Sequence, residues 1–252
     1  YHFHRLFKAG VGETLKAYTL RIRLEQAAFR LLLHDEAVVD IAIECGFNSH
    51  EAFTRAFGRR FGVSPSAYRK RHSQWRREAQ AGDVAAADHC GQGFELSAPR
   101  IVSSVETHLA FVRHTGAYES VPDTLWDPLA DFAASAALPR PWIWFGIGHD
   151  APATTAPDRL RFDAGLRVPG PFAPRGGIAH QVLPARTCAL FSHAGHHSTL
   201  PAAYALLFPQ LFQLRGYRVV GLPAIEIYRT TKVDSSNAFN HTDIYIPMEE
   251  AR

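Results

Sequence analysis

Residues 41–69 read IAIECGFNSHEAFTRAFGRRFGVSPSAYR, and their spacing decides what the first part of the chain is. Val38, Ile41, Ala42 and Cys45 fall at i, i+3, i+4 and i+7, the period of one helical face, which predicts a short helix over 37–45. Gly46 follows, suited to the left-handed backbone that ends a helix, and Phe47 anchors the turn in a core. Asn48 or Ser49 caps the next helix, which runs to about Gly62 with Phe53 and Phe57 pointing inward. Ser64-Pro65 opens a third, with the serine as cap and the proline at the first helical position. A helix, a glycine turn and a basic helix with an aromatic inner face make a helix-turn-helix.

Working outward, the same unit occurs twice. Phe3, Arg5, Phe7, Gly12, Tyr18 and Arg21 recur 50 residues later as Phe53, Arg55, Phe57, Gly62, Tyr68 and Arg71, the mark of a short helical unit used twice. Between the copies, 14–33 read as a long amphipathic helix. Leu20, Leu24, Ala27 and Leu31 form its stripe, widened by Ile22 and Ala28, and Lys16, Arg21 and Arg23 are polar. Such a helix would hold two recognition helices at a fixed separation, so that one chain addresses two successive major-groove faces. Residues 1–80 carry 14 Lys/Arg against 8 Asp/Glu, a balance of +6, whereas 81–252 carry 13 against 16, a balance of −3. A basic head on a mildly acidic body fits a reader of polyanions joined to a second activity.

Here the chain resembles the AraC/XylS family of bacterial transcription regulators, on the motif of residues 41–69. The family unit holds two helix-turn-helix motifs in about one hundred residues. This sequence begins at YHFHRLFK, inside the first recognition helix, so that motif lacks its opening helix. The chain also starts at Tyr1 rather than Met, as expected of a fragment. The resemblance places contacts to double-stranded DNA at His50, Glu51, Thr54 and Arg55, with His4 and Arg5 as equivalents on the first recognition helix and Tyr1 near its start. Arg55 suits guanine O6/N7 and Glu51 suits cytosine N4; Arg59, Arg60, Arg69, Lys70 and Arg71 suit phosphate. Some of these have structural alternatives: Arg55 as an internal ion-pair partner, Glu51 closing a capping box with Asn48, and Arg59 and Arg60 as solvated surface charge. Cys45 reads as a small core residue.

Residues 73–98, rich in Ala, Gly and Asp, read as a connector with a helical start through Arg77. Cys90 and His89 stand there without further ligands nearby, and no metal site is expected. The three cysteines, Cys45, Cys90 and Cys188, are odd in number and far apart, which argues against a disulfide scaffold and for a reducing cytoplasm. No apolar run approaches the roughly 18 residues of a spanning helix, and 46% hydrophobic with 20% charged residues over 252 positions argues against wholesale disorder.

From residue 99 a second repeat begins. Leu109–Gly116 resembles Cys188–Gly195, aligning His114 with His193. Each strand leads to a helix (120–137 and 199–214) and then to two more strands (142–149 and 159–168; 217–229 and 241–247). Both halves close on an Asp-led strand, FDAGLRVP and TDIYIP. Strand–helix–strand–strand, used twice, predicts an α+β domain of two β-α-β-β repeats sharing one sheet.

This part resembles the GyrI-like, or effector-binding, domain, on VRHTGAY (112–118), LPAIEIYR (222–229) and TDIYIPM (242–248). The order of a reading head followed by this domain is that of the Rob-type regulators. By strand alternation Ala224, Glu226 and Tyr228 share one face, and a carboxylate in an otherwise apolar strand is costly unless partnered. The resemblance places the glutamate in a cleft that meets cationic ligands. Trp142 and Trp144 on one strand, with Tyr118 and Trp126 at the strand-to-helix junction, would give aromatic walls for a flat lipophilic cation. The alternative for Glu226 is a cross-strand salt bridge with an arginine, and for one of the tryptophans plain core. His193, His196 and His197 lie around a glycine with no carboxylate close, so a metal is not expected there; Asp243 reads as a structural acceptor at a strand start.

The sequence thus yields an organisation of 1–72 all-α helix-turn-helix (two tandem units, the first truncated), 73–98 linker and 99–250 GyrI-like domain. The function expected is a cytoplasmic DNA-binding regulator that senses a small amphipathic or cationic effector, without cofactor or catalytic centre and with no membrane partner. RNA polymerase is a further partner that the resemblance implies. The alternatives for the second domain are a protein-interaction module and a hydrolase of strained cyclopropane metabolites using Glu226 as base.

Overall fold

The computed structural model describes residues 2–11, 13–71, 93–152, 154–229 and 240–251. Tyr1, Cys90, His89 and the expected helical start through Arg77 lie outside the described residues. The chain divides into two compact units, Tyr1–Glu78 and Ala79–Arg252.

The first unit is helical: α1 (His2–Val11), α2 (Leu15–Leu33), α3 (Val38–Glu44), α4 (His50–Phe61) and α5 (65–71). Its boundaries follow the local chemistry. Thr14 Oγ1 accepts from the Ala17 N–H, Ser49 Oγ from Ala52 and Ser64 Oγ from Ala67, each satisfying an orphan donor of a first turn. Gly46, at φ +80°, turns the chain between α3 and α4 while the Phe47 N–H returns to the Ala42 carbonyl. A side chain on Gly46 would also run into the Arg23 guanidinium, which donates to the Gly46 carbonyl at 2.9 Å. The core joins Leu24, Ala27, Ala28 and Leu31 of α2 to Ile41, Ala42 and Cys45, and to Phe53, Phe57 and Tyr68.

One face of α2 differs from the expectation. Leu20 is exposed and Arg21 is buried. Arg21 continues the Leu24, Ala28, Leu31 row, and it enters the core side because Glu13 and Glu25 meet its guanidinium at 2.8 and 3.0 Å. A buried charge of this kind persists only when paired.

The second unit is a ten-stranded antiparallel sheet with helices against it. The strands are β1 (Phe94–Leu96), β2 (Arg100–Ser103), β3 (Thr107–Thr115), β4 (Trp144–Gly148), β5 (Arg161–Val168), β6 (Ala179–Leu183), β7 (Thr187–Gly195), β8 (Tyr217–Val219), β9 (Ala224–Tyr228) and β10 (Asn240–Glu250). The main path runs β1-β7-β10-β9-β4-β5-β3-β6, with β2 also on β7 and β8 on β10. Helix α6 (Asp127–Ser135) follows β3 and α7 (Leu200–Leu211) follows β7. The two β-α-β-β halves are β3-α6-β4-β5 and β7-α7-β9-β10. Gly146 lies opposite Ala164 in β4·β5, and the same register returns 80 residues later as Glu226 opposite Ile244 in β9·β10. Gly146 and Glu226 also lie opposite each other where β4 meets β9. The approximate two-fold axis therefore passes between these two residues.

Three local expectations change. Strand β1 falls inside the stretch read as connector, because Phe94 is buried against the His193 ring at 5.3 Å. The single strand read over 217–229 is two, since Gly221 and Pro223 interrupt the ladder between β8 and β9. The helix read from 120 starts at Asp127, with two 3-10 turns, Tyr118–Ser120 and Asp123–Trp126, ahead of it. Strand β6 pairs with β3 and was not anticipated.

Candidate functional site

On α4 the structure exposes His50, Glu51, Arg55 and Arg59, and on α1 His4 and Arg5. Arg55 therefore projects outward rather than serving as an internal ion-pair partner. Glu51 sits at the start of the helix, where its own backbone N–H and the Ser49 hydroxyl hold its carboxyl below the usual range; Ser49, not Asn48, is the cap. Thr54 is half-buried, and its hydroxyl oxygen is shielded without a hydrogen-bond partner. Arg60 is drawn back toward the core, with Nη2 3.2 Å from Glu25 Oε1, and Arg69 donates to the Glu36 carbonyl at 2.6 Å. Two of the arginines expected on phosphate are thus engaged in holding the helices together.

In the second unit one face of the sheet carries both helices, and its centre lies at β4 and β9. Paired residues of adjacent strands share a face, so Trp144, Gly146 and Gly148 stand with Tyr228, Glu226 and Ala224. Gly146 leaves room at the middle of this face, and the Tyr228 hydroxyl and the Phe162 ring take it. A Cβ on Gly146 would overlap the Tyr228 hydroxyl and come within 2.8 Å of Phe162 Cζ. Glu226 is buried here. Tyr204 of α7 donates to its Oε1 at 2.9 Å and Tyr228 to its Oε2 at 2.7 Å. No arginine among the described residues pairs with it. Burial pushes the Glu226 carboxyl up, and the two tyrosine hydroxyls partly offset that.

Aromatic rings surround this carboxylate. Trp126 meets Phe162 at 5.9 Å and Tyr228 at 6.2 Å, Tyr118 meets Phe162 at 6.2 Å, and His197 meets Tyr228 edge-on at 5.4 Å. The structure so brings Glu226, Tyr228, Tyr118, Trp126 and Trp144 into one neighbourhood. Tyr118 contributes its ring only, because its hydroxyl donates to the Asp150 carbonyl at 2.7 Å and burial pushes its pKa far up. Trp142 joins the edge of this group, its ring edge-on to that of Trp144 at 5.9 Å. It lies before β4, its indole N–H is spent on the Leu138 carbonyl, and Arg140 stacks on it at 4.3 Å. Tyr204, Phe162 and Gly146 are not singled out by the sequence, and His197 is weighed there only as a metal ligand; the alternating glycines of Phe145-Gly-Ile-Gly148 are the readable signal, since glycine inside a strand marks a close approach.

His193 extends the same face beyond Thr242, which is opposite both His193 and Tyr228. Its Nε2 lies 2.8 Å from Thr199 Oγ1. Burial, helped by His197 and His241, pushes its pKa down to about 4. A depressed imidazole pKa stabilises the fold above the unfolded value and loses that contribution as pH falls toward the folded value. Between pH 7 and pH 5 the wild type is expected to lose roughly 2 kcal/mol through this group. Urea unfolding at the two pH values should show a smaller loss for His193→Gln; equal losses would assign the acid sensitivity elsewhere. Asp243 accepts from Ser192 at 2.8 Å and Arg229 at 2.7 Å, the structural acceptor expected.

These features define a class: a helix-turn-helix head and a duplicated β-α-β-β domain with a buried, tyrosine-bonded carboxylate at its two-fold centre. The family model for the GyrI-like small molecule binding domain matches residues 97–249, and a helix-turn-helix domain model matches 1–71. The chain belongs to the GyrI-like family, with an AraC-type helix-turn-helix ahead of that domain. It is 35% identical over 108 residues to the uncharacterized HTH-type transcriptional regulator YbfP of Bacillus subtilis, covering 40% of this chain and 36% of that protein. It is 46% identical over 69 residues to the HTH-type transcriptional regulator Rv1931c of Mycobacterium tuberculosis, covering 27% of each. With the transcriptional regulator Rob of Salmonella typhimurium it shares 39% over 75 residues, 30% of this chain and 26% of that one. The chain therefore spans only about a third or less of these relatives' length. The solved EcmrR–DNA complex in EcmrR-RPo has the same fold over 89% of this chain and 81% of its own, at 19% identity and a TM-score of 0.52. Among the described residues no helix is long and apolar enough to cross a membrane.

Proposed function

We propose that the chain is a DNA-binding transcriptional regulator whose second domain binds a small organic cation. The observation that carries this is the buried Glu226, bonded by two tyrosine hydroxyls and ringed by aromatic side chains on a sheet face cleared by glycine. A carboxylate so shielded attracts a cation far more strongly than one in water, and the rings add cation–π attraction. Both of its oxygens are held by hydroxyls, which favours a fixed counter-charge over a base that must reach water. On the head, α4 presents His50, Glu51 and Arg55 for base edges and Arg59 for phosphate, with His4 and Arg5 on α1 as their equivalents. Trp126, Tyr118, Trp144 and Tyr228 are the cation's walls. RNA polymerase is the further partner and the cytoplasm the compartment of this reading, as for an AraC-type regulator of bacterial promoters.

Fluorescence polarisation against a random duplex and a selected operator library tests the first half. Arg55→Ala is expected to weaken the selected duplex by about 10- to 100-fold, the worth of a bidentate guanine contact, and to leave random-duplex binding nearly unchanged. Equal weakening on both duplexes would make Arg55 a phosphate contact, and no selective binding by the wild type would remove the regulator reading.

A further inference from the structure

We infer that the ligand of this site is a cation that also carries a hydrogen-bond-accepting oxygen, held by the Trp126 indole N–H beside the Glu226 carboxylate. The inference rests on the cation-binding reading above and narrows it.

Among the described residues of this unit, besides Thr155 Oγ1, four buried polar atoms stand out without a hydrogen-bond partner: Trp126 Nε1, His193 Nδ1, His197 Nε2 and Thr242 Oγ1. All four belong to side chains grouped around Tyr228. Trp126 and His197 stand nearly perpendicular to its ring, at 74° and 85°. Thr242 is its cross-strand neighbour, and His193 is the next residue in that row. A shielded donor left unbonded forfeits more than an ordinary hydrogen bond contributes, so such atoms mark where an incoming group bonds.

The chemistry of the four atoms selects the group. An indole N–H only donates, so what meets it must accept. Burial lowers the His197 pKa, which keeps the ring neutral with one nitrogen donating and one accepting. The Thr242 hydroxyl can do either. A bare tetraalkylammonium satisfies none of these donors, whereas an ester, ether or amide oxygen does. Tyr228 and Glu226 are two residues apart on one strand face, about 7 Å along it. The oxygen and the cationic centre therefore lie a few bonds apart in the ligand.

The experiment compares benzoylcholine with (4-phenylbutyl)trimethylammonium, which match in charge, ring and chain length and differ in the ester oxygens. Titration calorimetry on the whole chain is expected to give about a tenfold preference for the ester. In Trp126→Phe, which keeps a ring and removes the N–H, the preference collapses to about twofold or less. The ratio between the two compounds is the readout, so a general loss of affinity from imperfect folding does not imitate it. Equal affinities in the wild type, or an undiminished preference in the variant, would overturn the inference and leave the cation reading intact. Failure of both compounds to bind would overturn the cation reading and this inference with it.

Discussion

Glu226→Gln is expected to weaken binding of an aromatic monocation by about 100-fold, with a fold at least as stable as the wild type. Truncating one partner of a buried charge pair costs about 2–5 kcal/mol, and each 1.4 kcal/mol is a factor of ten. Glutamine keeps the shape and satisfies both tyrosines, since its carbonyl accepts from Tyr204 and its amide donates to Tyr228. What it removes is the charge. The same substitution relieves the desolvation that raises the Glu226 pKa. A carboxyl raised on folding loses its stabilising contribution as pH climbs through the folded value, so at neutral pH the amide replaces an expensive group by a cheap one. The cation requires the ionised form, so wild-type affinity should fall as pH drops through the raised pKa and level off above it. The variant should show no such slope. Calorimetry across pH 5 to 8 checks both; unchanged affinity in Glu226→Gln would mean that the carboxylate is purely architectural.

Phe57→Ala is expected to cost about 3–5 kcal/mol, the range for removing a fully buried phenylalanine. Phe57 is fully buried and its ring meets Phe53 at 5.4 Å, Phe61 at 4.5 Å and Tyr68 at 5.4 Å. It links α4 to α5 and lies over the α2 and α3 side chains of the same core. Domains hold about 5–15 kcal/mol in total, so the variant should lose most of the stability of its helical unit and with it selective DNA binding. Helical circular dichroism during urea unfolding measures this. A loss below about 1 kcal/mol would mean that neighbouring rings collapse into the space, contrary to a close-packed cluster. Phe57→Leu should lose less than half as much.

The helical unit was legible because its signals are local. Ser49 and Ser64 cap, Gly46 and Gly62 take positive φ, and Phe53 and Phe57 repeat at helical spacing. Arg21 was not, because its burial needs Glu13, from before the start of α2, in addition to the i,i+4 partner Glu25 on its own helix. Leu20 and Arg21 both fit a helical stripe, and the two carboxylates that meet the guanidinium choose between them. Glu226 was legible as a carboxylate in an apolar strand, but Tyr204 was hidden inside an apolar helix stripe and its hydroxyl meaning appears only when α7 lies on β9. Trp142 lies two residues before β4, so strand alternation does not govern it, although its ring meets that of Trp144 edge-on at 5.9 Å. The split between β8 and β9 is a local signal carried by Gly221 and Pro223.

The axis between Gly146 and Glu226 carries a last consequence. These are the same position in the two copies of one repeat, and a symmetric ancestor would have had one residue type at both. Glutamate twice would set two carboxylates on facing residues whose α-carbons are about 5.5 Å apart or less, and in this buried setting both could not ionise without strong repulsion. Glycine twice would leave nothing to attract a cation. The halves differ at this position, one supplying the charge of Glu226 and the other the room at Gly146 that the Tyr228 hydroxyl and Phe162 occupy. A ligand of the site proposed above would meet a head and a tail, and would be received only one way round.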